Sequence, residues 1–150
     1  MRYAHSLKLT AFSYEQENSH DILNSFIKFF PFSLEENKIP LKKSFATGFS
    51  DKKIEILEIK ITKQNLINHF LKNLLSNLDE NTKKIILGQL ESRLDSNLDF
   101  FLRFDKNSWI SERKLKLTDT GKCFHLKISV AAFPKKREVA LNILKNLFEN

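Results

Sequence analysis

Apolar and polar positions alternate from Ala4 onward. In "AHSLKLTAF", Leu7, Leu9 and Ala11 fall on one side and Ser6, Lys8 and Thr10 on the other, the period of a half-buried strand. "SHDILNSFIKFFPF" then shifts to the helical period. Ser19 can cap this helix, Ile22, Phe26, Ile27 and Phe30 form its apolar stripe, and Pro31 ends it. "LKKSFATGFSDKKIEILEIKIT" reads as two strands joined near Ser50–Lys52, with Asp51 at the turn. The second strand carries a phase fault: Ile54 and Ile56 share one face, Leu57, Ile59 and Ile61 the other. Either a bulge resets the face at Ile56 and Leu57, or the strand is covered on both sides.

The stretch from Lys63 to Leu94 is helical in period throughout. Leu66, Ile67, Phe70, Leu71, Leu74, Leu75 and Leu78 form one stripe, and Ile85, Ile86, Leu90 and Leu94 a second. The polar break "NLDENT", where Asp79 or Asn81 can cap, divides it into two helices. In the next strand, Asp99, Phe101, Arg103 and Asp105 point one way and Phe100, Leu102 and Phe104 the other. A short connector from Asn107 to Arg113, a "KLKL" strand and a "TDTGK" turn come next. They lead to "CFHLKISVAAF", where Phe124, Leu126, Ile128 and Val130 alternate with His125, Lys127 and Ser129. A last helix turns Val139, Ala140, Ile143, Leu144 and Leu147 inward. Hairpin-length links between strands, and helices with wide apolar stripes, predict an α+β fold: an antiparallel sheet with helices packed on one face and the other face open to solvent.

At 150 residues the chain fits one domain, able to bury roughly 70% of its unfolded surface. Three glycines and three prolines leave little room for a linker. No apolar run of membrane-spanning length appears, and "MRYAHSLKLTAF" is too short and interrupted for a signal peptide. The single Cys123 has no partner for an internal disulfide, and a reducing, cytoplasmic setting is expected. The net charge of +7 is unevenly placed. Residues 101–150 hold 11 Lys and Arg against 5 Asp and Glu, whereas residues 1–100 hold 14 against 13. Such a bias suits a phosphate-bearing partner.

Catalytic patterns are missing. His5, His20, His69 and His125 lack metal-ligand spacing, Gly48, Gly88 and Gly121 stand apart rather than in a phosphate loop, and no Gly-x-Ser-x-Gly elbow occurs. Asp99 and Asp105 lie about 20 Å apart along their strand, too far for a working carboxylate pair. The reading is of a binding protein, not an enzyme, with no cofactor and no metal. Lys8, Arg103, His125 and Lys127 point outward on the predicted open face, with Phe101 among them. Arginine forks grip phosphate and an exposed ring stacks on an unpaired base. Each residue has a plainer alternative. Phe101 can pack under a loop or helix, Arg103 can pair with Asp99 or Asp105, and Lys135, Lys136 and Arg137 can be a solvated charge cluster. That cluster opens the last helix, where basic side chains and free backbone N–H groups can converge on one phosphate.

Four blocks carry a family resemblance: "AHSLKL", "ATGFSDKKIEILEIKI", "LESRLDSNLDFFLRFDK" and "KLTDTGKCFHLKISVAAFPKKREVAL". Over almost its full length the chain resembles the archaeal family of predicted RNA-binding proteins that carries an exosome-subunit label. The resemblance implies a fold similar to that of the ribosomal protein that holds 5S RNA, and RNA binding linked to RNA processing or degradation without catalysis. An alternative is a module that docks on proteins of such an assembly. By this resemblance Arg93 and Asp95 match a helix-end motif, Arg103, Asp105 and Lys106 a strand motif, and Lys135, Lys136 and Arg137 the start of the last helix. With Lys127 from the neighbouring strand, the basic members are expected to contact phosphates. Asp105 is expected to orient Arg103 or Lys106, and Asp95 to orient Arg93. After Lys106, relatives continue with glutamine and small residues, whereas this chain has Asn107, Ser108 and Trp109, a ring expected to be buried or to offer a stacking surface.

Overall fold

Strand β1 (Ala4–Tyr14) buries Leu7, Leu9 and Ala11 and turns Ser6, Lys8 and Thr10 away from them, as period two dictates. The computed structural model describes residues 2–150. Around β1 stand β2 (Lys42–Thr47), β3 (Lys53–Ile61), β4 (Asp99–Asp105) and β5 (Cys123–Val130) in one antiparallel sheet of order β2-β3-β1-β5-β4. Its inner face is carpeted by Leu57, Ile59, Ile61, Phe100, Leu102, Phe104, Phe124, Leu126 and Ile128. Against it pack α1 (Ser19–Ile27), α2 (Gln64–Asn77), α3 (Glu80–Gly88), α4 (Leu90–Arg93), α5 (Lys106–Glu112) and α6 (Arg137–Glu149), and sheet and helices share one apolar core. The predicted α+β architecture, with an open sheet face, is what forms.

Several local expectations are corrected. Asn18, not Ser19, caps α1, accepting from the N–H groups of His20 and Asp21 at 3.1 and 3.2 Å. That helix stops at Ile27, and the 3.6-residue period stops with it: Phe29 and Phe30 both turn inward and Ile27 is left exposed. Strand β3 has no bulge. Its register against β1 runs unbroken from Leu7 opposite Ile61 to Tyr14 opposite Ile54, and against β2 from Lys42 opposite Glu58 to Thr47 opposite Lys53. Ile54 and Ile56 therefore lie on the open face, half-covered beside Tyr14 and Phe12. The turn before β3 passes through Ser50 and Asp51 in left-handed backbone, closed by Gly48 N–H to the Lys52 carbonyl at 2.8 Å.

The connector after β4 is a helix, α5, started by the Asp105 carboxylate and ended by Arg113 in left-handed backbone. Trp109 is buried on it, its ring 4.5 Å from that of Phe29 and its Nε1 donating to the Ser25 carbonyl at 2.7 Å. The "KLKL" segment is not a strand. Leu117 makes an isolated bridge to Phe104, and two bonds, Asp105 N–H to the Lys116 carbonyl and Thr118 N–H to the Arg103 carbonyl, lay the segment along the outer edge of β4. The second long helical stretch divides as α3 and the one-turn α4, with Asp79 capping α3 through the Thr82 N–H at 2.7 Å.

Candidate nucleic-acid interface

Antiparallel register puts directly paired residues on the same face. Lys8 on β1 is paired with Lys127 on β5 and with Lys60 on β3, so three lysines stand side by side across the open face. Neighbouring strands lie about 4.8 Å apart, and like charges directly opposite destabilise a sheet. Lys127 is relieved by Asp99, whose carboxylate is 3.5 Å away and also accepts from the Ser129 hydroxyl at 2.7 Å. Among the described residues Lys8 and Lys60 have no ion-pair partner. The exposed Lys135 joins Lys8, Lys60 and Lys127 around a shallow depression of about 500 Å³.

The next row is mixed, with one cation on β4 and Glu58 on β3 at its other end. Arg103 pairs across β4 and β5 with His125, which pairs with Thr10 on β1. Arg103 is exposed, and one of its N–H groups reaches the Asp119 carbonyl at 3.5 Å. It pairs with neither Asp99 nor Asp105. Phe101, half-buried, stacks on the His125 ring with centroids 5.3 Å apart and planes 24° from parallel, rather than packing under a helix. Burial pushes the His125 imidazole below its usual pKa, and the charges of Arg103, Lys8 and Lys127 push it further the same way. A neutral imidazole thus sits within a cluster of cations. An anion laid on the face would reverse that second influence.

Other expected contacts take structural work. Lys106 is only 2% exposed, and its ammonium donates to the Phe12 carbonyl at 2.7 Å and to the Glu17 carboxylate at 3.1 and 3.2 Å. It also lies 5.2 Å from the centre of the Tyr14 ring. Buried at the end of β1, it is out of reach of a phosphate on the surface. Asp105 orients neither Arg103 nor Lys106; it accepts from the N–H and hydroxyl of Ser108 at 2.9 and 2.8 Å, as the cap of α5. Asp95 does not hold Arg93. It folds the loop before β4 by accepting from the N–H groups of Asn97 and Asp99, both at 2.9 Å. Arg93 bonds Gln89 at 2.8 Å and the Phe101 carbonyl at 3.4 Å, tying α4 to β4; burial lowers its pKa, with Asp119 opposing and Arg103 adding to the shift. Arg137 is occupied by α4: it donates to the Glu91 carbonyl at 2.7 Å, the Leu94 carbonyl at 3.1 Å and the Glu91 carboxylate at 3.2 Å. The three basic residues opening α6 therefore do not converge on one anion. Lys136 is exposed at the cap position, and only Lys135 lines the depression on the sheet.

A family model described as RNA binding matches residues 6–130. The chain belongs to this RNA-binding family. It is 24% identical over 147 residues to the RNA-binding protein PAB1135 of Pyrococcus abyssi, a match covering 97% of this chain and 94% of that one. Among solved structures it is similar to the DUF54 protein AF2318 of Archaeglobus fulgidus, with a TM-score of 0.84 and 27% identity over 96% of this chain and 99% of that one. The DUF54 protein SSO0741 of Sulfolobus solfataricus matches at 0.73 and 26%, covering 94% and 98%. Mth689 of Methanothermobacter thermautotrophicus, at 23% identity and a TM-score of 0.78 over 97% and 98%, shares the fold.

The stretch matched to the RNA-binding family holds nearly all of the sheet, including the lysine row and Arg103, and ends at Val130, before Lys135 and α6. Two members of the lysine row had little prominence in the sequence. Lys8 is legible as outward-facing with Lys127, but not as its direct neighbour; Lys60 sits in the strand whose phase fault left its face undecided. Phe12, which shares the open face with them, closes the alternating segment as an apolar residue in its polar phase.

Proposed function

We propose that the protein is a non-enzymatic RNA-binding protein that carries the phosphate backbone across the open face of its sheet. Lys127, Lys8 and Lys60 form the central row, Arg103 and Lys135 flank it, and Lys136 extends it at the surface. Arg93 acts at its margin by holding β4 in place, while Lys106 and Arg137 serve the fold. One observation carries the reading: three lysines in direct register on adjacent strands, two of them without an ion-pair partner among the described residues. A fold that places like charges opposite one another loses stability, and a polyanion removes that penalty on binding. On this reading the protein works in the cytoplasm, in RNA processing or degradation alongside an exosome-type assembly.

The test is RNA affinity as a function of salt, by fluorescence anisotropy of a labelled single-stranded RNA. Affinity should fall with a logarithmic slope of roughly 0.7 per phosphate contacted. Lys8→Gln and Lys60→Gln should each flatten that slope by up to about one unit. Unchanged slopes in both variants would remove the sheet face as the RNA surface.

A second reading is favoured by the opposite end of the sheet. Strand β2 is exposed along its whole length, Phe45 is 67% exposed and Phe49 fully so. An unpaired strand edge flanked by exposed rings suits docking onto a protein of an RNA-processing assembly. Salt-insensitive, weak RNA binding would select this reading over the first.

A further inference from the structure

The open face has an aromatic half beside its lysine row. Thr10, Phe12, Arg103, Gly121, Cys123 and His125 line an indentation of about 250 Å³. Phe12 is 39% exposed, although it sits on a strand in mid-sheet, and its neighbour Tyr14 meets it steeply, at 62° with centroids 6.5 Å apart. On the β5 side, His125 is backed by the Phe101 ring stacked on it. Arg103 reaches over the same space with one N–H turned to the Asp119 carbonyl and its remaining donors at the surface. The backbone at Phe12 is held in place, because its carbonyl accepts the buried Lys106 ammonium at 2.7 Å.

These parts specify a ligand. The Phe12 and His125 rings and a mostly apolar lining favour a flat, unsaturated group. A guanidinium fork at the rim favours one that bears acceptors on its edge. An aliphatic side chain would satisfy the lining and leave the fork unused; a bare phosphate would do the reverse. In a duplex, base faces are already stacked on their neighbours and cannot enter a recess of this kind. We infer that this indentation receives one unpaired nucleobase, which makes the protein a reader of single-stranded rather than double-stranded RNA. The inference rests on the proposal that RNA lies on the open face, and adds that phosphates track the lysine row while a base turns into the recess beside it.

The experiment compares three probes against the full chain: a short single-stranded RNA carrying 2-aminopurine, the blunt duplex of the same sequence, and the same strand with abasic positions. Binding of the wild-type protein should change the 2-aminopurine emission and should favour the single strand over both other probes. Phe12→Leu keeps apolar bulk but removes the ring. It should weaken single-strand binding roughly fivefold or more, the lower end of what one base stack is worth, and leave duplex and abasic binding as they were. Lys60→Gln should instead weaken all three probes alike. Thermal melting of each variant separates loss of binding from loss of fold. Unchanged 2-aminopurine emission, or a Phe12→Leu variant that binds all three probes as the wild type does, would overturn the base site. If Lys60→Gln still weakened binding in that case, the phosphate row would survive it; if Lys60→Gln were silent, the phosphate row would fail instead.

Discussion

The ammonium of Lys106 donates to the Phe12 carbonyl and to both oxygens of Glu17, while that of Lys60 stands in solvent beside Lys8. The two side chains have identical chemistry and opposite work, and depth in the fold makes the difference. Lys106→Met is expected to leave the Phe12 carbonyl without its donor and the half-buried Glu17 carboxylate with only the Tyr14 N–H, lowering stability by about 1–3 kcal/mol in denaturant unfolding. The salt slope of RNA binding should stay where it was, because the lost charge faces inward. His125 gives a second prediction at this scale. Its pKa is held below the usual value of 6.5 by burial first and then by Arg103, Lys8 and Lys127, with Phe101 stacked on its other side. A depressed native pKa means the unfolded chain takes up this proton more readily, so the stability contributed here is present above pH 6.5 and lost as pH falls below it. Bound phosphate offsets the three cations and raises the imidazole pKa, so RNA affinity should rise as pH drops from 7.5 toward 6. His125→Gln should remove that part of the rise, measured as the difference between the two anisotropy profiles.

Among the elements, α5 shows what local chemistry decides and what it hides. Its start is written in Asp105, three residues before Ser108, a carboxylate able to take the N–H groups of a first helical turn. Read along the strand, the same carboxylate looks like a partner for Arg103, because strand alternation puts both on one face. Geometry chooses the cap. Asp105→Ala is therefore expected to cost about 1 kcal/mol in unfolding, with RNA affinity little changed, the reverse of what a role in orienting Arg103 would give. Arg137 teaches the same lesson at α6. A basic first turn opposes the helix dipole, and its compensation comes from the carbonyls at the end of α4, distant in sequence and beyond any local rule. For β3, the phase fault was legible as a conflict but not its resolution. Ile54 and Ile56 stay on the open face because neighbours on β1, Phe12 and Tyr14, cover them in part.

For the whole molecule, the surplus of positive charge in the last third proved an incomplete guide to its placement in space. Two of the three lysines in the central row, Lys8 and Lys60, come from the nearly neutral first 100 residues. They meet Lys127 because β1 lies between β3 and β5, a pairing of segments more than a hundred residues apart for Lys8 and Lys127. Sequence by itself determined most of the helices and strands, their inner and outer sides and the overall positive charge, since these stem from side-chain period and composition, which are local or additive; it missed α5 and read a strand where "KLKL" only borders β4. Tertiary structure alone decided which outward residues stand next to one another, which lysine is buried and which carboxylate it meets. Strand order and register are long-range choices made by packing the whole apolar core at once, and no stretch of chain contains the information to make them separately.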